Sequence, residues 1–564
     1  MFSRREFLAA SVALASITGS GLSGRWSQAA AQQRLSEDDL LGAPAFGNLT
    51  LLHVTDIHAQ LKPVYFREPA VNIGVGAVAG LPPHVSGGDF LKLYRIEPGS
   101  PEAYALTGED FAALASRYGK MGGLDRVATI VRRARAERGD DNVLLLDGGD
   151  TWQGSFTANA TEGADMIACM NLLKPDAMTG HWEFTYGADR VSEAKDALAF
   201  PFLASNIFDA EWNEPAFEAW KMFERGGSKV AVIGQAFPYT PIANPRYLIP
   251  GWSFGIREEE VAKHVEEARA AGADVVILLS HNGFDVDRAM ASRVPGIDVI
   301  LTGHTHDALP EPVRVGKTVL IASGSNGKFV SRLDLDIGKG SLKDLRYRLI
   351  PVFSDVIAPD GEMAAKIDAV REPYEEQLAA VLGRTEGLLY RRGNFNGTWD
   401  DLICDALLSE RDAEIALSPG FRWGTSLPAG SDITVEDLHN ACAMSYPAAY
   451  RTKMSGAMLK TVLEDVADNL FNVDPYYQQG GDMVRVGGMG FAIDPTQAIG
   501  SRISDMVVLK TETPIEAARD YVVAGWASVN EGTEGPPIWD VVSDHLKANP
   551  VYTPSENRSV KLNP

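Results

Sequence analysis

Cysteine is scarce in this chain of 564 residues: only Cys169, Cys404 and Cys442. An odd, sparse set is no disulfide framework, and one bridge or three buried thiols both stay open. No apolar run beyond the N-terminus approaches the roughly 20 residues that span a bilayer. Cationic residues are also in deficit, 52 Lys and Arg against 75 Asp and Glu, for a net charge of −23. A field of that sign repels phosphate backbones and excludes nucleic acid as a partner. An anionic substrate would need local cations to overcome it. Internal repeats and low-complexity tracts are missing too. Histidine is rare, ten in all, so their placement carries information.

The N-terminus reads Ser3-Arg4-Arg5-Glu6-Phe7-Leu8, followed by a weakly apolar stretch to Leu22 and small residues at Ala29-Ala30-Ala31. Residues 1–31 resemble a twin-arginine signal peptide, which implies export in the folded state to the periplasm and no membrane contact after removal. The remaining length exceeds one core, so two domains are expected. The reading is α/β: a metal-bearing domain at 45–358, a connecting helix at 359–385 and a second domain at 386–564. The chain is expected to act as a monomer.

Apolar strands are expected at Leu49–Thr55, Val143–Leu146, Val230–Ile233, Val275–Leu279 and Val299–Leu301. Helices are expected at Leu124–Glu137, Glu258–Ala271 and Met363–Leu382, the last kinked by Pro373. Residues 64–118 interrupt the rhythm with Leu81-Pro82-Pro83 and Ser86-Gly87-Gly88. A loop of this length is functional or disordered, and the functional reading is a lid or docking surface.

Most of the chemically notable segments directly follow a strand. Asp56-Ile57-His58 places a carboxylate and an imidazole two residues apart on extended chain, where they share one side. In Asp147-Gly148-Gly149-Asp150 the glycines permit a sharp turn that aims Asp150 inward; an ordinary Asp-Gly turn is the alternative. His281 precedes the turn Asn282-Gly283, and Gly303-His304-Thr305-His306 presents two imidazoles. With Gly180-His181-Trp182-Glu183, five of the ten histidines lie in these segments. Mixed carboxylate and imidazole donors suit Mn, Zn, Fe or Co, not Ca, and the lack of cysteine argues against a thiolate zinc site. Two ions sharing a carboxylate generate a hydroxide near neutral pH and neutralise an anionic tetrahedral centre.

In this order the segments resemble the calcineurin-like metallophosphoesterases and, within them, the two-domain 5′-nucleotidases. The resemblance implies a two-sheet sandwich with flanking helices and a C-terminal nucleotidase-type α/β domain. It implies one metal on Asp56, His58, Asp150 and His306, and a second on Asp150, His181, His281 and His304. Leu417-Ser418-Pro419-Gly420-Phe421-Arg422 sits where that family has a glycine-rich segment ending in an anion-gripping arginine. Arg422 is therefore the candidate oxyanion clamp, because a guanidinium fork suits phosphate or sulfonate oxygens. Asn394, Asn396, Tyr446, Tyr476 and Tyr477 are further candidate substrate contacts.

One segment departs from the nucleotidase pattern Gly-Asn-His-Glu-Phe-Asp. Here it is Gly180-His181-Trp182-Glu183-Phe184-Thr185. His181 can still bind metal, but Trp182 replaces the acid histidine and Thr185 replaces its aspartate partner. A basic alkoxide leaving group profits from that acid; a sulfur leaving group departs unprotonated. This segment, the 64–118 insertion and Asp56–Pro63 closely resemble the SoxB thiosulfohydrolase family. That resemblance implies a dimanganese enzyme that removes the terminal sulfonate from a cysteine S-thiosulfonate on the carrier SoxYZ, releasing sulfate. Asp150, Trp182 and Arg422 are then the expected catalytic-site residues. A periplasmic 5′-nucleotidase or phosphodiesterase is the alternative, and a degenerate, non-enzymatic docking protein is the third reading.

Overall fold

The computed structural model describes residues 35–338, 340–555 and 559–563. The export-signal reading of 1–31 lies outside them. The N-terminal half is built on two mixed sheets. One runs in the order Ser341–Pro351, Phe329–Gly338, Leu49–Val54, Val143–Asp147 and Ala177–Met178. The other runs Val313–Val315, Thr318–Ala322, Val299–Thr302, Val275–Ser280, Ser228–Gln235 and Trp220–Arg225.

Alternation along these strands assigns their faces. Leu49, Leu51, Leu144 and Leu146 of the first sheet share one buried cluster with Val275, Ile277, Leu279, Val299 and Leu301 of the second. The opposite faces meet helices. Leu52, Val54, Val143 and Leu145 pack with Val127, Ile130 and Val131 of the helix Leu124–Arg138. Val276, Leu278 and Ile300 pack with Val261, Val265 and Ala268 of Glu258–Ala270. Strands buried on both faces read as continuous apolar runs, which is how these segments are written. Three glutamates in the first turn of Glu258–Ala270 complement the positive end of its dipole.

The stretch 64–118 is not a plain loop. It contains the helices Gly87–Tyr94, Pro101–Leu106 and Phe111–Tyr118. Ser100 caps the second through Ala103 N–H at 3.1 Å, with Pro101 at its first position. Phe90 and Leu91 join the outer cluster of the second sheet, while Tyr104, Phe111 and Leu114 join that of the first. The stretch also ties the two halves together. Ser426 N donates to Tyr65 O at 2.7 Å, and Ile73 N donates to Asn394 Oδ1 at 2.7 Å. The buried Lys328 ammonium pairs with Glu68.

The helix expected over Met363–Leu382 is shorter. Gly361–Arg371 is helical, Pro373 sits in a 3-10 turn, and a last helical turn ends at Leu378. Val381–Thr385 is instead a strand, paired with Asp432–Thr434 and Val551–Tyr552. Non-local pairing overrides the local pattern here. The C-terminal half adds two four-stranded sheets. One, in the order Tyr450–Ser455, Asp520–Gly525, Ile415–Ser418 and Arg485–Gly487, carries the Arg422 loop at a strand end. Cys169, Cys404 and Cys442 are all buried and unpaired. Among the described residues no helix is long and apolar enough to cross a membrane.

Candidate metal centre

Every segment singled out for metal binding leaves the carboxyl end of a strand, where the two sheets meet. Seven side chains converge there and all are buried. They form two groups that share Asp150: Asp56, His58, Asp150 and His306, and Asp150, His181, His281 and His304. Within each group the ligand atoms lie within 4.8 Å of one another.

Asp150 is the hinge of the arrangement. Its Oδ1 accepts the Trp182 N–H at 2.8 Å. Its Oδ2 faces His281 Nε2 at 3.1 Å, His181 Nδ1 at 3.2 Å and His58 Nε2 at 3.6 Å. Asp56 Oδ1 faces His306 Nε2 at 3.2 Å and His281 Nε2 at 3.6 Å. Burial alone would raise the Asp150 carboxyl, but His181 and His281 outweigh it and hold it well below the usual range. Burial likewise opposes charge on His281, yet Asp150 and Asp56 push it up to about 10. At His58 burial dominates and the ring falls to about 4.

The imidazole orientations test whether metal fits. His281 Nδ1 lies 2.6 Å from Gly148 O, and His58 Nδ1 lies 3.2 Å from Gln153 O. A carbonyl accepts only, so both Nδ1 atoms carry hydrogen and both Nε2 atoms point inward, where each offers a lone pair once its ring is neutral. His58 Nε2 then meets His306 Nε2 at 3.0 Å. His281 Nε2 meets two carboxylate oxygens. Without a proton or a cation between them, these acceptors repel one another. His181 Nε2 and His306 Nδ1 are buried without a partner. The donor set of imidazole and carboxylate, arranged this way, fits two divalent ions.

The loops that hold these groups are strained and cross-tied. Asp56, His58, Asp150, His304 and His306 all have φ between 49° and 73°. Asp56 N donates to Gly149 O and His58 N to Asp150 O, both at 2.8 Å. Glu183 accepts the backbone N–H of Thr151 at 2.6 Å, His181 at 2.7 Å and Asp150 at 3.2 Å. A Cβ at Gly303 would lie 2.9 Å from His281 Nδ1 and 2.6 Å from Thr55 Oγ1, so only glycine lets this strand end pass so close to the ligands.

Comparison with known proteins fits this geometry. The 5′-nucleotidase C-terminal domain family matches residues 381–543. Snake venom 5′-nucleotidase of Naja atra is 27% identical over 481 residues, covering 76% of this chain and 86% of that protein. Human 5′-nucleotidase is 27% identical over 452 residues, covering 72% and 76%. The solved structure of Thermus thermophilus sulfate thiohydrolase SoxB, in complex with glycerol, is 36% identical with a TM-score of 0.89, covering 92% of this chain and 97% of that one. The chain belongs to the SoxB family, within the 5′-nucleotidase superfamily. A 5′-nucleotidase precursor, also from Thermus thermophilus, is 22% identical with a TM-score of 0.72 over 92% of this chain and shares the fold.

In this SoxB-family chain a cavity of about 280 Å³ opens on the ligands. His58, Asp150, His181, His304 and His306 form its floor; Trp182, Phe237, Phe421 and Trp423 form aromatic walls. Trp182 stands edge-on to Phe421 at 5.5 Å and joins the core of the C-terminal half. Thr185 faces Ser445 Oγ at 2.6 Å across the domain boundary. Neither of these residues titrates in the working pH range. Arg422 lines the cavity with Nε and Nη1 unpartnered; its nearest carboxylate, Asp482, lies 3.7 Å away.

The other expected contacts lie elsewhere. Asn394 lies beside the metal loops but not in the main cavity. Asn396 is spent on Asp401 and on both backbone groups of Val486. Tyr446 donates to Ala243 O at 2.7 Å. Tyr476 donates to Glu258 at 2.5 Å, and Tyr477 is exposed on the surface. None of these five lines the main cavity. Sequence reasoning missed Arg392, which donates to Thr305 O at 2.9 Å and faces Asp307 and Asp482 at 3.8 Å. Gly480, of the glycine-rich stretch that follows Tyr476 and Tyr477, does line the cavity, and its α-carbon sits against the His304 ring. Arg392 stands beside Asn394, and its adjacent arginine pair was the only signal.

Proposed function

We propose that this protein hydrolyses the terminal sulfonate from a cysteine S-thiosulfonate presented by the SoxYZ carrier in the periplasm. The observation that carries the reading is the combination of two complete metal-ligand groups with Trp182 and Thr185 at the acid positions. In this reading residues 45–358 carry the metals and the chain beyond Leu378 completes the substrate site.

Two ions held by these seven residues, manganese by the family resemblance, supply an activated water and offset charge at a tetrahedral centre. The protein's own groups do the rest. Arg422 lines the cavity with Nε and Nη1 making no hydrogen bond within the protein, and it grips the sulfonate oxygens where their charge grows. Trp182, Phe421 and Trp423 exclude water and guide the carrier arm. The oxygen of water bonds to the sulfonate sulfur, the S–S bond breaks, and its electron pair leaves with the carrier persulfide. Both protons of the water are released, since neither sulfate nor the persulfide anion keeps one. A persulfide is a weak base, so no acid is needed at position 182.

Side-by-side assay of thiosulfonate-loaded carrier and AMP tests the assignment. Sulfate release from the carrier with little AMP turnover is expected. Efficient AMP hydrolysis without carrier turnover would establish the nucleotidase reading instead, which the curated relatives favour. Metal analysis of the exported protein tests manganese.

A further inference from the structure

Behind the metal ligands lies a second, smaller chamber of about 50 Å³. His304, Arg422, Asn469 and Gly480 line both this chamber and the main cavity, so the two spaces meet along these residues. Its far wall contains His84, brought in by the 64–118 stretch, and Asp285, at the start of the helix Phe284–Arg293. These two form a close pair, His84 Nε2 to Asp285 Oδ2 at 2.7 Å. The pair joins segments 201 residues apart. The His84 side chain is only 13% exposed and that of Asp285 only 6%.

Four atoms around this chamber are buried without a hydrogen-bond partner: His84 Nδ1, Asp285 Oδ1 (3.8 Å from Arg288 Nη1), Asn282 Oδ1 and Arg422 Nη1. Buried polar atoms demand hydrogen bonds, and a polar cavity of this size holds about three waters. Asp285 accepts from His84 Nε2–H, which leaves the Nδ1 lone pair as a proton acceptor. A carboxylate that fixes an imidazole's tautomer in this way also stabilises the imidazolium it becomes.

We propose that the His84–Asp285 pair is the proton outlet of the hydrolytic site, linked to it by water in this chamber. It stands in for the missing dyad at 182 and 185, but with the opposite task. It takes the proton that water gives up, rather than giving one to a leaving group. The proton passes from the attacking water through chamber water to His84 Nδ1, and then to solvent. The electron pair of the broken bond still leaves with the leaving group. The charged groups that face His84 are Asp285 on its partner helix and Asp307 after the metal loop; Arg288 and Arg422 act in turn on Asp285, and Arg392 and Arg422 on Asp307. The proposal rests on hydrolysis at the proposed site, whichever substrate serves.

The test uses the full-length metal-loaded enzyme on whichever of loaded carrier or AMP the wild type turns over. If AMP alone is hydrolysed, the thiosulfonate reading falls and His84 is still tested. His84→Ala is expected to lower kcat on the order of 10²-fold, with KM and metal content unchanged. Added imidazole is expected to restore turnover, because the ring packs on Gly74 and leaves a slot of its own shape. The 15N shifts of His84 are expected to follow the pH that governs kcat, and Asp285→Asn to move both together. Turnover within twofold of wild type would overturn the proposal. So would a loss that imidazole does not restore, or a kcat profile unrelated to the His84 titration.

Discussion

Gly480 offers the sharpest probe of how the C-terminal half bears on the metals. Its φ is +77°, and a Cβ built there lies 1.9 Å from His304 Nε2, where ordinary contact begins at 3.4 Å. His304 cannot swing aside freely, since Phe237 stacks on its ring at 4.1 Å. Gly480→Ala must therefore displace either the loop or a ligand of the second metal. Gly481→Ala is the internal control. Its φ is +76°, so it carries the same left-handed penalty of about 1–2 kcal/mol. Its Cβ, however, meets nothing nearer than Gly420 O at 3.6 Å. Metal affinity measured by chelator competition should fall about 10–100-fold for one of the two ions in Gly480→Ala, the scale of a disturbed ligand support. That is about 1.4–2.8 kcal/mol. Gly481→Ala should lose only thermal stability. Equal metal affinity in the two variants would refute the claim that this loop presses on His304.

Arg422→Lys keeps the charge but loses the fork; kcat/KM should fall on the order of 10²-fold with both metals retained, and loss of metal would show that the residue acts on the ligands instead. His439 makes a prediction about pH. It lies between Phe156 at 4.8 Å and Trp539 at 4.9 Å, and burial pushes it down to about 4. A base depressed in the folded state adds no cost above its ordinary value near 6.5. Below that value the unfolded chain binds the proton first, so stability falls until about pH 4. Chemical denaturation at pH 7.5 and 5 should show about 2 kcal/mol of loss from this residue, absent in His439→Phe; the same pH dependence in both proteins would exclude it as the cause.

The metal site was legible because its information is local. Each ligand follows an apolar strand by one to four residues, and strands buried on both faces announce themselves as unbroken runs. Asp150 could be read from its glycines and His181 from its neighbours. What escaped is information carried across the chain. Val381–Thr385 continues a helical pattern until partners from Asp432–Thr434 and Val551–Tyr552 claim it. The helices inside 64–118 are 6–8 residues long, too short to stand without Phe90, Tyr104 and Phe111 packed on the sandwich. Tyr476 and Tyr477 look like substrate contacts in sequence. In the structure Asp474 caps their turn, and the hydroxyl of Tyr476 is drawn to Glu258. Gly480, three residues on, carries the contact.

The strain in the ligand loops bears on whether metal builds this site or enters one already built. Five of the seven candidate ligands sit in the left-handed region, each at a cost on the order of 1 kcal/mol or more. If the ions met that cost, the loops would relax when metal leaves. The backbone says otherwise. Gly303 N donates to Ser280 O, Asn326 N to Asp56 O and His58 N to Asp150 O, all at 2.8 Å and all between segments rather than through a ligand side chain. Sheet ends tied in this way hold the strain whether or not a cation is present. Chelator-stripped protein should therefore keep its far-UV spectrum and slow amide exchange at Asp56, His58 and Gly303. It should lose melting temperature only by the linkage term, about 4 kcal/mol for an ion held at a thousand times its Kd. Fast exchange at those amides after stripping would show instead that metal binding folds the loops, and the ligand geometry would then be a product of the ions.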